Sequence, residues 1–287
     1  MYIFRMNIID QCATQPTERL YHYTDAAGLL GITQRCHMWA THVRHLNDSE
    51  EYHNALNRVE EVLQELLRGA EFGPTQWTPH DALRYMREAS VFVTCFSEMG
   101  NLLSQWRAYC PKGGYAIGFD PQHLEELIRN QDSTFAKCIY DENGQNRLIE
   151  AIARALIATF KDIDIKTLLN PENPALVALG KIMRCAALIK NRHFHEEREW
   201  RFVSSYTVDY MVHYRPGRFG LTPFLKCDMA SADLKSGGKQ LRCASRTIGP
   251  NPDMEASFKA AETFGRTHLR LEEHIEPVIP CRIPYRS

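Results

Sequence analysis

The stretch from Glu199 to Tyr206 carries the clearest strand pattern in the chain. Trp200 and Phe202 fall on one face and Glu199 and Arg201 on the other, because side chains alternate along a strand. Other short strand patterns run from Leu20 to Thr24, Met38 to Thr41, Val91 to Ser97, Tyr115 to Phe119, Leu221 to Cys227, Arg246 to Ile248 and Pro277 to Ile283. Helical patterns lie among them without regular βαβ alternation. That mixture predicts an α+β fold: a split antiparallel or mixed sheet with flanking helices, in one domain spanning 1–287.

The helices have local start signals. Asp25 to Gln34 follows the first strand. Asp48 stands three residues before Glu51, the spacing of a capping box, and Tyr52, Leu56, Val59, Leu63, Leu66 and Leu67 then predict one buried stripe. Thr78-Pro79 opens a helix to about Ala89, Asn101 to Tyr109 reads as another, and Asp120-Pro121 caps a further one. Helical patterns over 145–161 and 174–191 make a helical insertion of roughly 145–192, with turn chemistry at Asn170, Pro171, Asn173 and Pro174 between them. Ser231 to Gly238 is polar and Gly-rich and predicts a mobile loop.

Charge and cysteine usage narrow the function. The 34 basic and 35 acidic residues leave a formal net charge of −1, so there is no global field of one sign to steer nucleic acid or an anionic membrane. Nine cysteines with no CxxC pair are not a disulfide framework. Neither a signal-peptide core nor a membrane span is visible, and the expected location is a reducing cytoplasm, away from any membrane.

Four motifs could carry chemistry. In Tyr21-His22-Tyr23-Thr24, His22 and Thr24 share a strand face and could hydrogen-bond a ribose; a satisfied histidine at a strand end is the bland alternative. Asn47-Asp48-Ser49-Glu50-Glu51 follows a strand holding Trp39 and Thr41, and its simplest role is helix capping. Ser104-Gln105-Trp106-Arg107-Ala108-Tyr109 places Gln105 and Tyr109 on one helix face, lining a pocket or packing in the core.

The fourth motif, Glu197-Arg198-Glu199-Trp200-Arg201, is the sharpest. Its carboxylates at i and i+2 entering a strand point the same way, and Trp200 in the core fixes their aim. Paired carboxylates serve general-base and cation-stabilising chemistry. A salt bridge from Glu199 to an arginine explains the same residues without catalysis. Cys95, Ser97 and Ser104 are possible nucleophiles without a recognisable elbow or protease signature. His193-x-His195 and the trio His37, His42 and His45 lack a matching ligand pattern, so no metal is expected.

In order, Leu20-Tyr21-His22-Tyr23-Thr24, Leu46-Asn47-Asp48-Ser49-x-Glu51-Tyr52, Cys95-Phe96-Ser97, Leu103-Ser104-Gln105-Trp106-x-x-Tyr109, Gly114 to Phe119, Phe194-x-x-Glu197-x-Glu199-Trp200-Arg201, Ile248-Gly249-Pro250 and Ile283-Pro284-Tyr285-Arg286 resemble a bacterial family of unknown function. More distantly, the chain resembles ADP-ribosyltransferases of the histidine–tyrosine–glutamate type. His22 would stand for their early histidine, Trp39 or a nearby tyrosine for the following aromatic and Glu199 for the late glutamate, with Tyr21, Tyr23, Trp39 and Tyr109 all open as the aromatic that stacks on the ligand. Glu197 sits two positions earlier, where transferases that modify arginine carry a further carboxylate or glutamine. The departure is tryptophan where that pattern has tyrosine.

This resemblance implies an ADP-ribosyltransferase-like fold with NAD as substrate. The acceptor would be a protein or a nucleic acid, and the setting that the resemblance implies is bacterial phage defence or toxin action. His22, with Tyr23 and Thr24 beside it, would bind ribose; Trp39, with Thr41, would face nicotinamide; Glu199 would stabilise the developing cation. Glu197 would orient the acceptor, and Ser104, Gln105 and Tyr109 would line that side. A non-catalytic nucleotide or protein sensor on the same fold would use the same residues without turnover. A nuclease would need a metal cluster and a basic groove.

Overall fold

The computed structural model describes residues 15–46, 50–129, 133–170, 172–205, 211–217, 220–232, 239–241, 243–268 and 278–283. The expected capping box at Asp48, Pro171, Tyr206 and the Pro284-Tyr285-Arg286 end of the last motif lie outside them.

The strands are β1 (Leu20–Thr24), β2 (His37–His42), β3 (Val91–Ser97), β4 (Tyr115–Phe119), β5 (Ser133–Lys137), β6 (Glu199–Ser205), β7 (His213–Gly217), β8 (Gly220–Asp228), β9 (Ala230–Ala232), β10 (Lys239–Leu241), β11 (Ser245–Ile248) and β12 (Ile279–Pro280). The helices are α1 (Ala26–Arg35), α2 (Glu50–Leu66), α3 (Pro79–Glu88), α4 (Leu103–Tyr109), α5 (Pro121–Arg129), α6 (Glu142–Phe160), α7 (Pro174–Ala186) and α8 (Met254–His268). The fold is α+β, as expected: a mixed sheet flanked by helices, its pairs antiparallel except β11 with β12.

The sheet divides at β3. One edge of β3 pairs with β6 along its whole length, from Val91 opposite Ser205 to Ser97 opposite Glu199. The other edge is shared. Phe92 and Val93 pair with β2, whereas Ser97 pairs with Tyr21 of β1. Thr94, Cys95 and Phe96 have no ladder partner on that edge among the described residues. From there β1 leads to β4 and β11, and β2 leads to β8 and β7. A notch therefore opens beside the middle of β3.

Alternation along the strands feeds a core on each face. Val93 and Val203 pack with Leu56, Val59 and Leu63 of α2, Leu83 of α3, Ile152 and Leu156 of α6 and Leu179 of α7. Phe92, Phe96, Trp200 and Phe202 pack on the opposite side with Leu29 and Ile32 of α1 and Leu124 of α5. Burying each such side chain contributes about 1.5–3 kcal/mol. The helical stretch expected near 145–192 thus belongs to the same core as β3 and β6. None of the described helices is long and apolar enough to cross a membrane.

Local signals account for the starts. Thr78 and Asp81 form a reciprocal capping box with Pro79 in the first turn, and Asp25 caps α1 by accepting from the Gly28 N–H. Some expectations fail. Of the expected α2 stripe, Leu67 still packs against the core just past the helix end, but Leu66, the last residue of the helix, is 40% exposed. Ser231 and Ala232, expected in a loop, belong to β9, which pairs with β10; the intervening 233–238 are outside the described residues. The last strand is only Ile279–Pro280, since proline cannot extend the ladder.

Candidate functional site

Two carboxylates converge where β6 begins, but not by strand alternation. Glu197 ends a 3-10 helix, Arg192–Glu197, and Arg198 adopts a left-handed conformation with φ 43°. A non-glycine residue in that region costs about 1–3 kcal/mol and persists only where its surroundings hold it. Here the Arg198 N–H donates to the His195 carbonyl, and the Arg198 carbonyl accepts from Glu98 N–H. The turn brings both acids to one cation: Lys190 Nζ lies 3.2 Å from Glu197 Oε2 and 2.8 Å from Glu199 Oε2. The same 3-10 helix carries His193 and His195.

Glu199 is anchored on both oxygens. Its Oε1 accepts from Arg201 Nε at 2.6 Å, and Arg201 also reaches Glu51 Oε2 at 3.2 Å and the Ala187 carbonyl at 2.7 Å. The Tyr140 hydroxyl accepts from the Glu199 N–H. Burial alone would raise the Glu199 pKa. Arg201 and Lys190 overcome it and hold the group at about 2. Burial likewise opposes charge on Lys190, but Glu199 and Glu197 keep its pKa above the ordinary lysine value. Glu199 does pair with an arginine, the bland role expected for it, but with Arg201 of its own strand rather than across to a neighbouring one.

Above this cluster is a cavity of about 30 Å³, room for a water or two. Tyr21, His22, Cys95, Gln105, Tyr109, Glu197 and Glu199 are among its walls. It adjoins a cleft of about 410 Å³ that runs along the notch, within the size range of small-molecule sites. His22, Tyr23, Cys95 and Tyr109 line both. The cleft continues past Thr24, Trp39 and Thr41 to Arg215.

His22 bridges the notch. Its Nδ1 lies 2.9 Å from the Cys95 carbonyl oxygen, which can only accept, so Nδ1 carries the hydrogen. Burial lowers the pKa of the ring against the raising effect of that bond, so the imidazole is neutral at physiological pH and Nε2 is an acceptor. This suits a hydroxyl donor such as a ribose. Burial pushes the Cys95 thiol well above the ordinary range and neighbouring Glu199 pushes it further, which leaves it a poor nucleophile. Burial, then Cys95, Glu199 and Glu197, raises the Tyr109 phenol, so it stays a hydrogen-bond donor.

The aromatic candidates separate. Tyr23 is buried, its ring meets Trp106 edge-on at 4.6 Å, and its hydroxyl accepts from Leu102 N–H. Tyr21 packs against Gly100, where an added Cβ would sit 2.5 Å from the ring. Trp39 and Tyr109 remain 39% and 43% exposed and face the cleft. Trp39 already packs against Phe224, ring centroids 4.5 Å apart, and under the Arg215 guanidinium, so a planar ligand meets the part of its ring that these leave open, or Tyr109.

Of the expected site residues, the structure thus brings His22, Tyr23, Thr24, Trp39, Thr41, Gln105, Tyr109, Glu197 and Glu199 to the two adjoining spaces. Ser104 lies apart: its Oγ is buried without a hydrogen-bond partner and lines neither. Ser97, a possible nucleophile from sequence, donates to the Glu197 carbonyl and accepts from Met99 N–H, a structural role. Sequence reading missed Lys190, the reach of Glu51 to Arg201, and Arg215. Lys190 carried no pattern of its own, and Arg215 lies on a short strand, His213–Gly217, that the sequence did not mark.

Comparison with curated proteins and with solved structures finds no match. Residues 105–202, from Gln105 of α4 through Phe202 of β6, match a family model described as "Protein of unknown function (DUF2971)", in agreement with the expected resemblance to a family of unknown function.

Proposed function

We propose that the protein cleaves the glycosidic bond of NAD and passes ADP-ribose to an acceptor, on an ADP-ribosyltransferase-like split sheet. The observation that carries this reading is the meeting of His22, Tyr109, Glu197 and Glu199 around one cavity that opens into the Trp39-lined cleft. An early-strand histidine and a late-strand glutamate converge although 177 positions would separate them as an extended chain; β1 and β6 flank β3 at Ser97.

The chemistry follows from charge. As the bond from the ribose C1′ to the pyridinium nitrogen breaks, its electron pair leaves with nicotinamide, which becomes neutral. Positive charge moves to the ribose. The Glu199 carboxylate, ionised and immobile, accepts from a ribose hydroxyl and opposes that charge. Carboxylate oxygens have further acceptor capacity beyond the bonds to Arg201 and Lys190. Neutral His22 accepts from a ribose hydroxyl through Nε2. Trp39 or Tyr109 stacks on the pyridine ring. Glu197 takes the proton from the acceptor nucleophile, or from water in a glycohydrolase, as the new bond to C1′ forms.

The test is nicotinamide release from NAD by wild type and Glu199→Gln, each checked for folding by thermal melting. Loss of one preorganised contact predicts about 100- to 1,000-fold slower release by a folded variant. Equal rates would remove Glu199 from the reacting centre, and no release by the folded wild type would end the reading.

The ion pairs of Glu199 favour a second reading, a nucleotide sensor in which the carboxylate only stabilises the cleft wall. It predicts a rise in melting temperature with NAD and no nicotinamide.

A further inference from the structure

Arg215 is a half-buried cation on the wall of the cleft, unlike the fully buried Arg201 and Arg246. It lies on β7, two strands from β2 across β8, and its guanidinium carbon sits 5.5 Å from the ring centroid of Trp39. One terminal nitrogen donates to Thr41 Oγ1 at 3.0 Å. Its Nε is buried and has no hydrogen-bond partner among the described residues. Arg201, by contrast, is held by Glu199, Glu51 and the Ala187 carbonyl. Arg246 also has a buried Nε without a partner, but it packs under α8 and lines neither space described above.

The charges around Arg215 are one-sided. Among the described residues no carboxylate forms an ion pair with it. The one acidic side chain lining the cleft, Asp25, is engaged at the start of α1 by the Gly28 N–H. A guanidinium carries five donors in a planar fork that matches phosphate oxygens. Here Trp39 packs against the guanidinium and Thr41 takes one donor, which leaves the rest of the fork open to an anion in the cleft.

We propose that Arg215 is an anion subsite at the Trp39 end of the cleft and takes the diphosphate of a nucleotide ligand. The orientation of that ligand rests on the NAD reading: with the diphosphate at Arg215, the nicotinamide riboside runs along the notch toward His22, Tyr109 and Glu199. The subsite itself requires no turnover.

Calorimetric titration tests it with ADP-ribose, ADP and adenosine as probes against the full chain, with wild type, Arg215→Lys and Arg215→Gln. Wild type should bind ADP and ADP-ribose at least about tenfold more tightly than adenosine, which lacks phosphate. Arg215→Gln should lose about 10- to 100-fold in ADP affinity while adenosine binding stays unchanged, with Arg215→Lys between, because it keeps the charge and loses the fork. Should Arg215→Gln fail to fold, Arg215→Lys with the salt dependence of ADP binding carries the test. Equal affinity for ADP and adenosine, no ADP binding by wild type, or ADP affinity indifferent to both substitutions would overturn the subsite. Phosphate-dependent binding through Arg215 without nicotinamide release would reject glycosidic cleavage alone. Nicotinamide release whose KM ignores Arg215→Gln would reject the subsite alone.

Discussion

Lys190 Nζ bridges Glu197 and Glu199, at 3.2 and 2.8 Å, from a side chain that is 3% exposed. Removing one member of a buried ion cluster leaves the others uncompensated. Lys190→Met should therefore lower stability by about 3–5 kcal/mol. Adding Glu197→Gln to it should restore part of that loss, since one of the two facing charges is gone. Urea denaturation of both variants checks this; a fully additive double variant would mean the groups are not coupled.

The depressed pKa of Glu199 ties stability to acid. The unfolded carboxyl titrates near the ordinary value of 4.5, and the folded one at about 2. The unfolded state takes the proton first as pH falls, so the stabilisation is complete above about 4.5 and is lost between there and about 2. The stability difference between wild type and Glu199→Gln should shrink as denaturation is repeated from pH 6 to about pH 3. A constant difference would contradict the ion-paired role.

His42 adds a separate window. Burial, then His45, Arg44 and His53, lowers its pKa to about 4 from 6.5. The unfolded histidine therefore binds a proton first as pH falls, and stability declines between about 6.5 and 4. His42 Nδ1 accepts from Arg44 N–H, a bond that asparagine can imitate. His42→Asn should flatten the pH dependence in this window. An unchanged slope would assign it to other groups.

Trp39 and Tyr109 are expected to divide the binding of a planar ligand. Truncating the aromatic that stacks should cost about 0.5–1.5 kcal/mol, up to roughly tenfold in affinity. Trp39→Ala and Tyr109→Ala, titrated with NAD, identify which one stacks. A negligible change in both would show that neither face meets the ligand.

Gly114 supports the β1 rim of the cleft. A Cβ there would lie 2.5 Å from the Thr24 carbonyl oxygen and 2.7 Å from Cys110 Sγ. Gly114→Ala should destabilise by about 1–3 kcal/mol through overpacking, read by urea denaturation. Wild-type stability would mean that the strand can shift freely.

Local chemistry in the sequence determined much of the scaffold. Thr78 begins α3 because its hydroxyl accepts from the Asp81 N–H while the Asp81 carboxylate accepts from the Thr78 N–H, and Trp200 and Phe202 declare the core face of β6 by alternation alone. His22, Trp39, Tyr109 and Glu199 were legible as candidates because polar and aromatic residues at strand ends and on one helix face are unusual as pure core. Their convergence was not legible. It follows from β1 and β2 sharing one edge of β3, a pairing between distant segments that no local pattern encodes. The same holds for Lys190 between two carboxylates, for Arg201 reaching Glu51, and for Arg215 crossing to Trp39. Residue type and spacing set which groups can ionise, stack or cap; only long-range strand pairing decides which of them meet, and burial at that meeting place decides their charge.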